Sequence, residues 1–413
     1  MLEELLPKAY VRYCSLPILG QHIEGFLAWL RAEGYPPLPM RRRVRAARRL
    51  DRLLWQRGVR STGELTAAVL MGFGPAKSQD DIDLAAVVRS LVRYLEQHGA
   101  FAASPLSATQ VLVEAYRAHL DHHRGLAAST LHHHTATAGE FLGFIGYNHD
   151  PKSLQTMGQH ELEGFIHHLA ARRNRASLQH VVAHLRAFLR FLAGRGQVAA
   201  RLAGQIDTPR TYRGERLPHA LPWKTVLALL AAIDRSSHIG RRDYAIFMLI
   251  ATYGLRASEI VALSLDDIKW RALTLRVPRP KVTGPLILPL TEEVGAAIVD
   301  YLQHSRPDLV HREVFLRVRP PDGILKPTAV TEAFQAWVRR SRLPISFNGP
   351  HCLRHSLAMH LLRLGTPLKT IGDVLGHRSV ESTSVYLRLH VDDLRDVALS
   401  LPAEARVKED SNE

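Results

Sequence analysis

Cysteine and long apolar runs are both scarce in this sequence. Its 413 residues include two cysteines, Cys14 and Cys352, which are too few for a disulfide framework or an all-cysteine zinc site. The longest apolar run, YAIFMLIATYGL, covers 244–255, whereas a membrane-spanning helix needs about 20 apolar residues. The first residues, MLEELLPKAY, lack the basic and apolar segments of a signal peptide. We therefore expect a protein of the reducing cytoplasm with no membrane role.

Acidic residues are too few to balance the basic ones. Lysine and arginine together number 54, against 39 for aspartate and glutamate, which gives a net charge of +15. A surplus of this size favours a polyanionic partner, with nucleic acid first and an acidic membrane second. Charge alone leaves open a basic protein with neither partner.

The sequence is dominated by helical periodicity. Apolar residues recur at three- and four-residue spacing through most of the chain, and the length favours two or three domains. Residues 207–223 contain proline and basic side chains without that periodicity, so they are the best linker candidate. A strand pattern is clear only at 272–277 (ALTLRV) and 284–290 (GPLILPL), which predict a hairpin. The expected fold is mainly α with one small β-hairpin or sheet.

Arginines are concentrated in two blocks of the helical first half. The candidate DNA-binding residues are Arg41, Arg42, Arg43, Arg45, Arg48, Arg49, Arg172, Arg173 and Arg175. A solvated helix face is the alternative, but carboxylates are scarce nearby, so phosphate contact is favoured. Three consecutive histidines, His132–His134, point in different directions on a helix and are not expected to share a metal ion. We interpret them as polar or DNA-facing surface.

The second half contains four short patterns that carry candidate chemistry, and basic residues dominate the first two. In GLRASEI, Arg256 and Glu259 are three residues apart, so on a helix the carboxylate can orient the guanidinium. In PRPKVTGP, Lys281 lies at the tip of the predicted hairpin, where it can reach into a neighbouring groove. The first pattern alone is weak evidence for a site, because surface salt bridges are common on helices. The second pattern alone is weaker still.

The other two patterns add histidine, arginine and tyrosine. HCLRH places His351 and Arg354 three residues apart near a helix start, and the leucine stripe of that helix directs both side chains elsewhere. LGHRSVESTSVY places His377 directly after a predicted helix cap, Gly376, and Tyr386 nine residues later. A helix-terminal histidine and a core tyrosine are the ordinary explanations for single residues. Four patterns together favour a site.

These residues suit phosphoryl transfer without a metal, because they include no carboxylate pair and no metal-binding cluster. Two guanidiniums can hold the nonbridging oxygens of a phosphodiester and stabilise a five-coordinate phosphorus. A tyrosine phenol, whose ordinary pKa of about 10 is lowered by cationic neighbours, can act as a covalent nucleophile. A lysine can protonate the departing oxygen as a general acid.

The order of these patterns resembles the tyrosine recombinases, also called the phage integrase family. GLRASEI is similar to the first arginine box of that family, HCLRH to its H-x-L-R-H box and LGHRSVESTSVY to its L-G-H box with the following tyrosine. The resemblance covers about 217–399 and, more weakly, 111–205, which is similar to the core-binding domain of the family. The stretch YLRLHVDDLRDVALSLP resembles members carried by insertion sequences and transposons.

The resemblance implies a phosphate clamp with a supporting carboxylate. Arg256 and Arg354 would hold the scissile phosphate, and Glu259 would brace the first of them. His377 would add a further phosphate contact. No cofactor is implied, and no metal ion.

The resemblance also implies which residues act as nucleophile, base and general acid. Tyr386 would attack the phosphorus and form a 3′-phosphotyrosine, with His351 as base or hydrogen-bond partner. Lys281 would be the general acid for the 5′ hydroxyl. Pro278 and Pro280 stand in this turn, where the family usually has glycines beside the lysine.

On this resemblance, we expect helical DNA-binding domains followed by an α+β integrase-type catalytic domain. The expected divisions are a helical accessory domain at 1–105, a SAM-like core-binding domain at 106–207, a linker at 208–222, the catalytic domain at 223–400 and a tail at 401–413. Faint similarity at a spacing of about ninety residues leaves two alternatives for 1–105, a repeat of the next module or unrelated amphipathic helices. The implied partner is double-stranded DNA, bound by dimers and then a tetrameric synapse in the cytoplasm, at the nucleoid. Companion recombinases from the same mobile element stay open as further partners.

Three functional classes compete. The leading one is a site-specific recombinase or transposon integrase. A type IB topoisomerase has similar chemistry and would relax supercoils without sequence preference. A catalytically inactive DNA-binding relative would bind DNA without any covalent adduct, and the complete set of arginines, histidines and tyrosine argues against it.

Overall fold

The computed structural model describes residues 2–73, 79–101, 106–211, 218–279, 284–376 and 381–389. Within them the chain is mostly helical with one three-stranded antiparallel sheet, which confirms the expected fold class. No helix in these ranges is long and apolar enough to cross a membrane. The described chain divides into two compact units. One comprises the described parts of Met1–Ser61, Met71–His98 and Arg216–Glu413, and the other those of Thr62–Leu70 and Gly99–Glu215.

The first hundred residues form a group of short and long helices. They are α1 (Leu2–Leu5), α2 (Tyr10–Cys14), α3 (Gly20–Ala32), α4 (Pro37–Gln56), α5 (Ala67–Met71) and α6 (Gln79–Gln97). Helices α3, α4 and α6 pack on one another. A buried carboxylate on α4, Asp51, accepts hydrogen bonds from the backbone N–H groups of Ile18 and Leu19 at 3.0 and 2.8 Å. It thereby ties the start of α3 to α4.

The second unit has four main helices, α7 (Ala108–Arg124), α8 (Ala128–Phe144), α9 (Gln159–Ala170) and α10 (Arg175–Gly194). Side-chain oxygens of Ser107 and Asn174 cap α7 and α10 by accepting backbone N–H bonds. Aromatic rings fill the core between these helices. The interpretation of His132–His134 as surface is wrong for His134, which is buried and lies 3.0 Å from the Tyr116 hydroxyl through Nδ1. The periodicity of α8 turns this residue, unlike its neighbours, toward α7.

The rest of the first unit combines helices with the sheet. Its elements are α11 (Trp223–Ala231), α12 (His238–Tyr253), α13 (Ala257–Val261), β1 (Ile268–Lys269), β2 (Thr274–Val277), β3 (Leu286–Pro289), α14 (Glu292–His304), α15 (Pro327–Ser341), α16 (His351–Arg363), α17 (Leu368–Leu375) and α18 (Glu381–Ser384). Strand β2 lies between β1 and β3, and Val277 pairs with Leu286. The predicted hairpin is therefore present as β2 and β3. Helix α12 packs against α14 and α16 in the core.

Candidate active site

The candidate site lies where α12 ends and α16 and α17 pack against it. Helix α12 ends at Gly254, whose φ of 65° is left-handed and costs glycine little. A methyl group on Gly254 would also overlap the Leu375 side chain at the end of α17. Glycine at this position therefore lets the start of α13 approach α16 and α17. Gly376, predicted as a helix cap, ends α17 with a φ of 63°, which confirms that prediction.

Arg256 precedes α13 and is held by the first carboxylate of that helix. Glu259 Oε2 accepts from the Arg256 backbone N–H at 2.8 Å, and Oε1 accepts from the Arg256 Nη1 at 2.7 Å. The Glu259 side chain is 5% exposed, whereas that of Arg256 is 39% exposed. A buried carboxylate thus holds the Arg256 backbone through one bond and its guanidinium through another, while part of the arginine side chain stays accessible.

Arg354 on α16 is the largest fully buried side chain in the described chain, with 2% exposure. Its Nη1 donates to the Gly254 carbonyl and its Nη2 to the Leu375 carbonyl, the latter at 2.5 Å. Burial, and then the nearby charge of Arg256, lowers the pKa of Arg354 to about 10, so the group stays cationic at neutral pH. The leucine stripe predicted one buried face, but α11, α12 and α17 all pack on α16, and Arg354 is buried as well.

Tyr386 lies in a short 3₁₀ turn, Val385–Leu389, that packs on α16. Its hydroxyl is 2.9 Å from His355 Nδ1, and the tyrosine is 1% exposed. Burial raises the pKa of Tyr386, although the charges of Arg354 and Arg256 oppose the rise. The phenol is therefore neutral at neutral pH and needs a proton acceptor before it can attack.

His355 is a site residue that the sequence patterns did not select for a role. It directly follows Arg354 in HCLRH, and this position in the motif is the sequence feature that could have identified it. Its ring centroid is 4.5 Å from that of His351, one helical turn earlier, with the two planes at 82°. The two imidazoles therefore form a pair beside the Tyr386 hydroxyl.

His351 is at the rim of the site, at the first position of α16. The residue is exposed to solvent, although protein atoms packed around the ring still desolvate it. That crowding, followed by the charges of Arg354 and Arg256, lowers the pKa of His351. The imidazole is therefore neutral at neutral pH and can accept a proton.

The structure brings together Arg256, Glu259, His351, Arg354 and Tyr386. The other two predicted site residues, Lys281 and His377, lie outside the described residues. Within the described ranges, no group of three or more His, Cys, Asp or Glu side chains is placed to hold a metal ion. The arrangement can hold an anion between guanidiniums, next to a phenol with two imidazoles.

The predicted DNA-binding arginines of α4 differ in their surroundings. Arg43 packs over the Tyr35 ring at 4.2 Å and donates through Nε to the Ser90 hydroxyl at 3.1 Å. Arg49 forms an ion pair of 3.3 Å with Asp81. These two side chains thus have intramolecular partners that the local sequence did not reveal.

The remaining predicted arginines are mostly at the surface. Arg41, Arg42, Arg45, Arg172 and Arg175 are exposed, while Arg48 is half-buried. Arg173 pairs with Glu140 of α8 at 2.6 Å. The exposed members retain charge that a polyanion can contact.

The chain matches family models, individual proteins and solved structures. Residues 220–392 match the phage integrase family, and residues 113–196 match the N-terminal SAM-like domain of phage integrases. "Putative integrase/recombinase y4rA" of Sinorhizobium fredii is 34% identical over 93% of this chain and 95% of its own. The tyrosine recombinase XerD of Lacticaseibacillus casei is 28% identical over 67% of this chain and 94% of its own. A lambda integrase tetramer bound to a Holliday junction has a TM-score of 0.52 at 17% identity, covering 76% of this chain and 88% of that one.

Proposed function

Because the chain belongs to the phage integrase family, the tyrosine recombinases, we propose that it cleaves and rejoins DNA through a covalent 3′-phosphotyrosine at Tyr386. The observation that carries this proposal is the contact of 2.9 Å between the Tyr386 hydroxyl and His355, beside two arginines. A phenol placed next to a proton acceptor and guanidiniums has what an attack on a phosphodiester requires.

In the proposed cleavage step, Tyr386 Oη bonds to phosphorus as the bond to the 5′ oxygen breaks. The phenol proton passes to the imidazole pair, with His351 as the base and His355 holding the hydroxyl. The 5′ oxygen leaves as a hydroxyl after taking a proton, a role we assign to Lys281. In the reverse sense, a 5′ hydroxyl attacks the phosphotyrosine, which restores the phosphodiester and the free phenol.

Arg354 and Arg256 are proposed to bind the two nonbridging oxygens of the scissile phosphate. Each terminal nitrogen of Arg354 carries two N–H donors and uses one on a carbonyl, so one on each stays available. Arg256 keeps an exposed edge opposite Glu259. His377 is assigned a further phosphate contact. The proposed chemistry draws on no metal ion.

We propose that DNA is held by both family domains and by an accessory region. The match at 113–196 supports a core-binding domain at 106–207, and the match at 220–392 supports a catalytic domain at 223–400 joined by a linker at 208–222. Residues 1–105 are assigned accessory DNA contact through the exposed arginines of α4.

Assembly on DNA is proposed to proceed through dimers to a tetramer. The lambda integrase structure, a tetramer bound to a Holliday junction, supports this stoichiometry for a strand exchange between two duplexes. The similarity to y4rA over nearly the whole chain supports a role as an integrase or recombinase. We assign that role to a mobile element because the stretch YLRLHVDDLRDVALSLP resembles members carried by insertion sequences and transposons. Companion recombinases encoded by that element are proposed as further partners of this protein.

The test needs a DNA site and a trapped intermediate. The site is selected by binding of the wild-type chain to a pool of random duplexes, and is then built into nicked suicide duplexes. Wild-type protein is expected to give a covalent adduct on denaturing gels in the presence of EDTA. Tyr386→Phe is expected to bind the duplex and give none. An adduct that persists in Tyr386→Phe would remove the nucleophile assignment.

The topoisomerase alternative is decided with plasmids. Relaxation of supercoiled DNA that lacks the selected sequence, at the same rate as DNA that contains it, would favour that enzyme class. A recombinase is expected to require the selected sequence for both cleavage and relaxation.

A further inference from the structure

Arg279 is a cation near the candidate site for which the proposed reaction has no role. It follows β2 (Thr274–Val277) by two residues, and its guanidinium lies directly against the backbone of Gly376. A methyl group on Gly376 would overlap Nη1, Nη2 and Cζ of this arginine. The sequence did not identify Arg279 as a site residue, because the neighbouring Lys281 fitted the expected hairpin.

Among the described residues, the surroundings of Arg279 compensate its charge only in part. Its Nε is buried and, among the described residues, has no hydrogen-bond partner. The nearby carboxylate, Glu259, is already paired with Arg256 at 2.7 Å. Burial lowers the pKa of Arg279, and the charge of Arg256 lowers it further although Glu259 opposes the shift. Holding a partly buried cation without a partner is unfavourable unless an anion completes the site.

Arg279 and Arg354 contact adjacent residues at the end of α17. Arg354 Nη2 donates to the Leu375 carbonyl at 2.5 Å, and the Arg279 guanidinium lies on the next residue, Gly376. The charge of Arg279 also acts on Arg354. The two guanidiniums therefore flank one short backbone segment and belong to the same positively charged cluster.

We propose that Arg279 is a third phosphate-binding guanidinium of the active site and contacts a nonbridging oxygen of the scissile phosphodiester. This inference rests on the proposed strand-cleavage function. Glu259 neutralises one of the charges of Arg256 and Arg354, so these residues alone present one net positive charge. Arg279 adds a second net positive charge to this group of arginines, next to a five-coordinate phosphorus that carries two negative charges after phenolate attack.

A structural role is the competing explanation, because a cation near the carboxyl end of a helix such as α17 is electrostatically favourable. The two explanations differ in what they predict. A structural arginine stabilises the fold whatever the substrate. A phosphate ligand acts only where the phosphate carries charge.

The first measurement is the single-turnover rate of adduct formation on the selected suicide duplex. Arg279→Ala is expected to lower this rate by about 10²- to 10³-fold, with duplex affinity within about threefold of wild type. The matched control is Arg276→Ala, three residues earlier on β2, where the side chain is exposed and paired with Asp267 at 3.4 Å. The rate of this variant is expected to stay near wild type. Cleavage by Arg279→Ala at the wild-type rate would overturn the inference.

The second measurement uses a duplex with a neutral methylphosphonate at the scissile position. A side chain that acts by neutralising the phosphate charge contributes little to cleavage of this neutral duplex. The ratio of the wild-type rate to the Arg279→Ala rate is therefore expected to fall from about 10²–10³ on the phosphate duplex to near one on the methylphosphonate duplex. An unchanged ratio on both duplexes would assign a structural role instead and overturn the inference. If the wild type itself forms no adduct with the phosphate duplex, the proposed function fails, and that failure is visible without any variant.

Folding is checked in parallel. Arg279→Ala is expected to unfold at the wild-type temperature or slightly above it, because a like-charge repulsion is removed. Should this variant fold poorly, Arg279→Lys keeps the charge without the planar donor set. Its rate is expected to lie between those of wild type and Arg279→Ala, and a wild-type rate on both duplexes would again overturn the phosphate contact.

Discussion

The hydroxyl of Tyr386 and the Nδ1 atom of His355 are 2.9 Å apart, although 31 residues separate them in the sequence. The contact joins α16 to the 3₁₀ turn at Val385–Leu389. It gives the proposed nucleophile a fixed partner inside the protein. His355 therefore positions the phenol, in addition to the base role assigned to His351.

Removing His355 is expected to slow adduct formation. His355→Ala is expected to lower the single-turnover rate by about 10²-fold, the size of effect produced when a reacting group is misplaced by about 1 Å. His355→Asn is expected to recover part of it, because the asparagine amide can occupy the position of Nδ1. The matched control on α16 is His360→Ala, since that ring stacks on Trp223 at 4.2 Å. A wild-type rate in His355→Ala would contradict the positioning role.

Replacing Arg354 is expected to impair both catalysis and stability. In Arg354→Lys a single ammonium cannot reach both the Gly254 and Leu375 carbonyls, and an unsatisfied buried carbonyl costs about 1–3 kcal/mol. Urea denaturation is expected to show an unfolding free energy lower by about that amount, and adduct formation is expected to be lost. Arg363→Lys, at the exposed end of α16, is the control. Unchanged stability in Arg354→Lys would show that the carbonyl contacts contribute little.

The rate of cleavage is expected to depend on pH through His351. The pKa of His351 lies below its ordinary value of about 6.5 because of crowding and the two arginines. The base is therefore active at neutral pH, and the rate is expected to fall as acid protonates it below that value. His351→Gln is expected to be slow and to lack this acidic fall in a profile from about pH 5 to 8. The same acidic fall in His351→Gln would move the base role to His355.

His184 on α10 is expected to make the second unit sensitive to acid. Burial, and then His134, His133 and His180, lowers its pKa to about 4. Because the folded pKa is below the unfolded value of about 6.5, its stabilisation is complete above pH 6.5 and is lost as pH falls toward 4. Since the ring is half-buried, the loss is about 1–2 kcal/mol.

The measurement is thermal unfolding at about pH 7.5 and 4.5. His184→Gln is expected to show a smaller decrease on acidification than wild type. His149→Gln, which changes an exposed histidine of the same unit that is not among the causes of the His184 shift, is the control. An equal decrease in wild type and His184→Gln would contradict this account.

The sequence was sufficient for those parts of the fold that depend on local chemistry. Two apolar runs on either side of a turn predicted β2 and β3, and Gly376 was predicted as a helix cap. Strand β1 was missed because two residues are too short to show alternation. The pair formed by Arg256 and Glu259 was also predictable, because it needs one helical turn and no distant contact.

The parts that escaped prediction depend on long-range packing. A leucine stripe on α16 suggested that one face was buried, but neighbours on several sides enclose Arg354 as well. The contact of His355 with Tyr386 requires the 3₁₀ turn to fold back onto α16. Arg279 became a candidate only when α17 placed Gly376 against it. None of these contacts leaves a periodic signal in the sequence.

The burial of Tyr386 determines how often the proposed nucleophile can act. Tyr386 is 1% exposed in this arrangement, so we expect its hydroxyl to stay on His355 until Val385–Leu389 shifts and lets a phosphodiester approach the hydroxyl and its histidine partner together. The observed cleavage frequency is then the chemical rate multiplied by the fraction of molecules in which the turn has shifted. Each 1.4 kcal/mol that holds the turn in place lowers this fraction about tenfold. Packing on this short turn is thus a rate control in its own right, separate from the reactivity of the phenol.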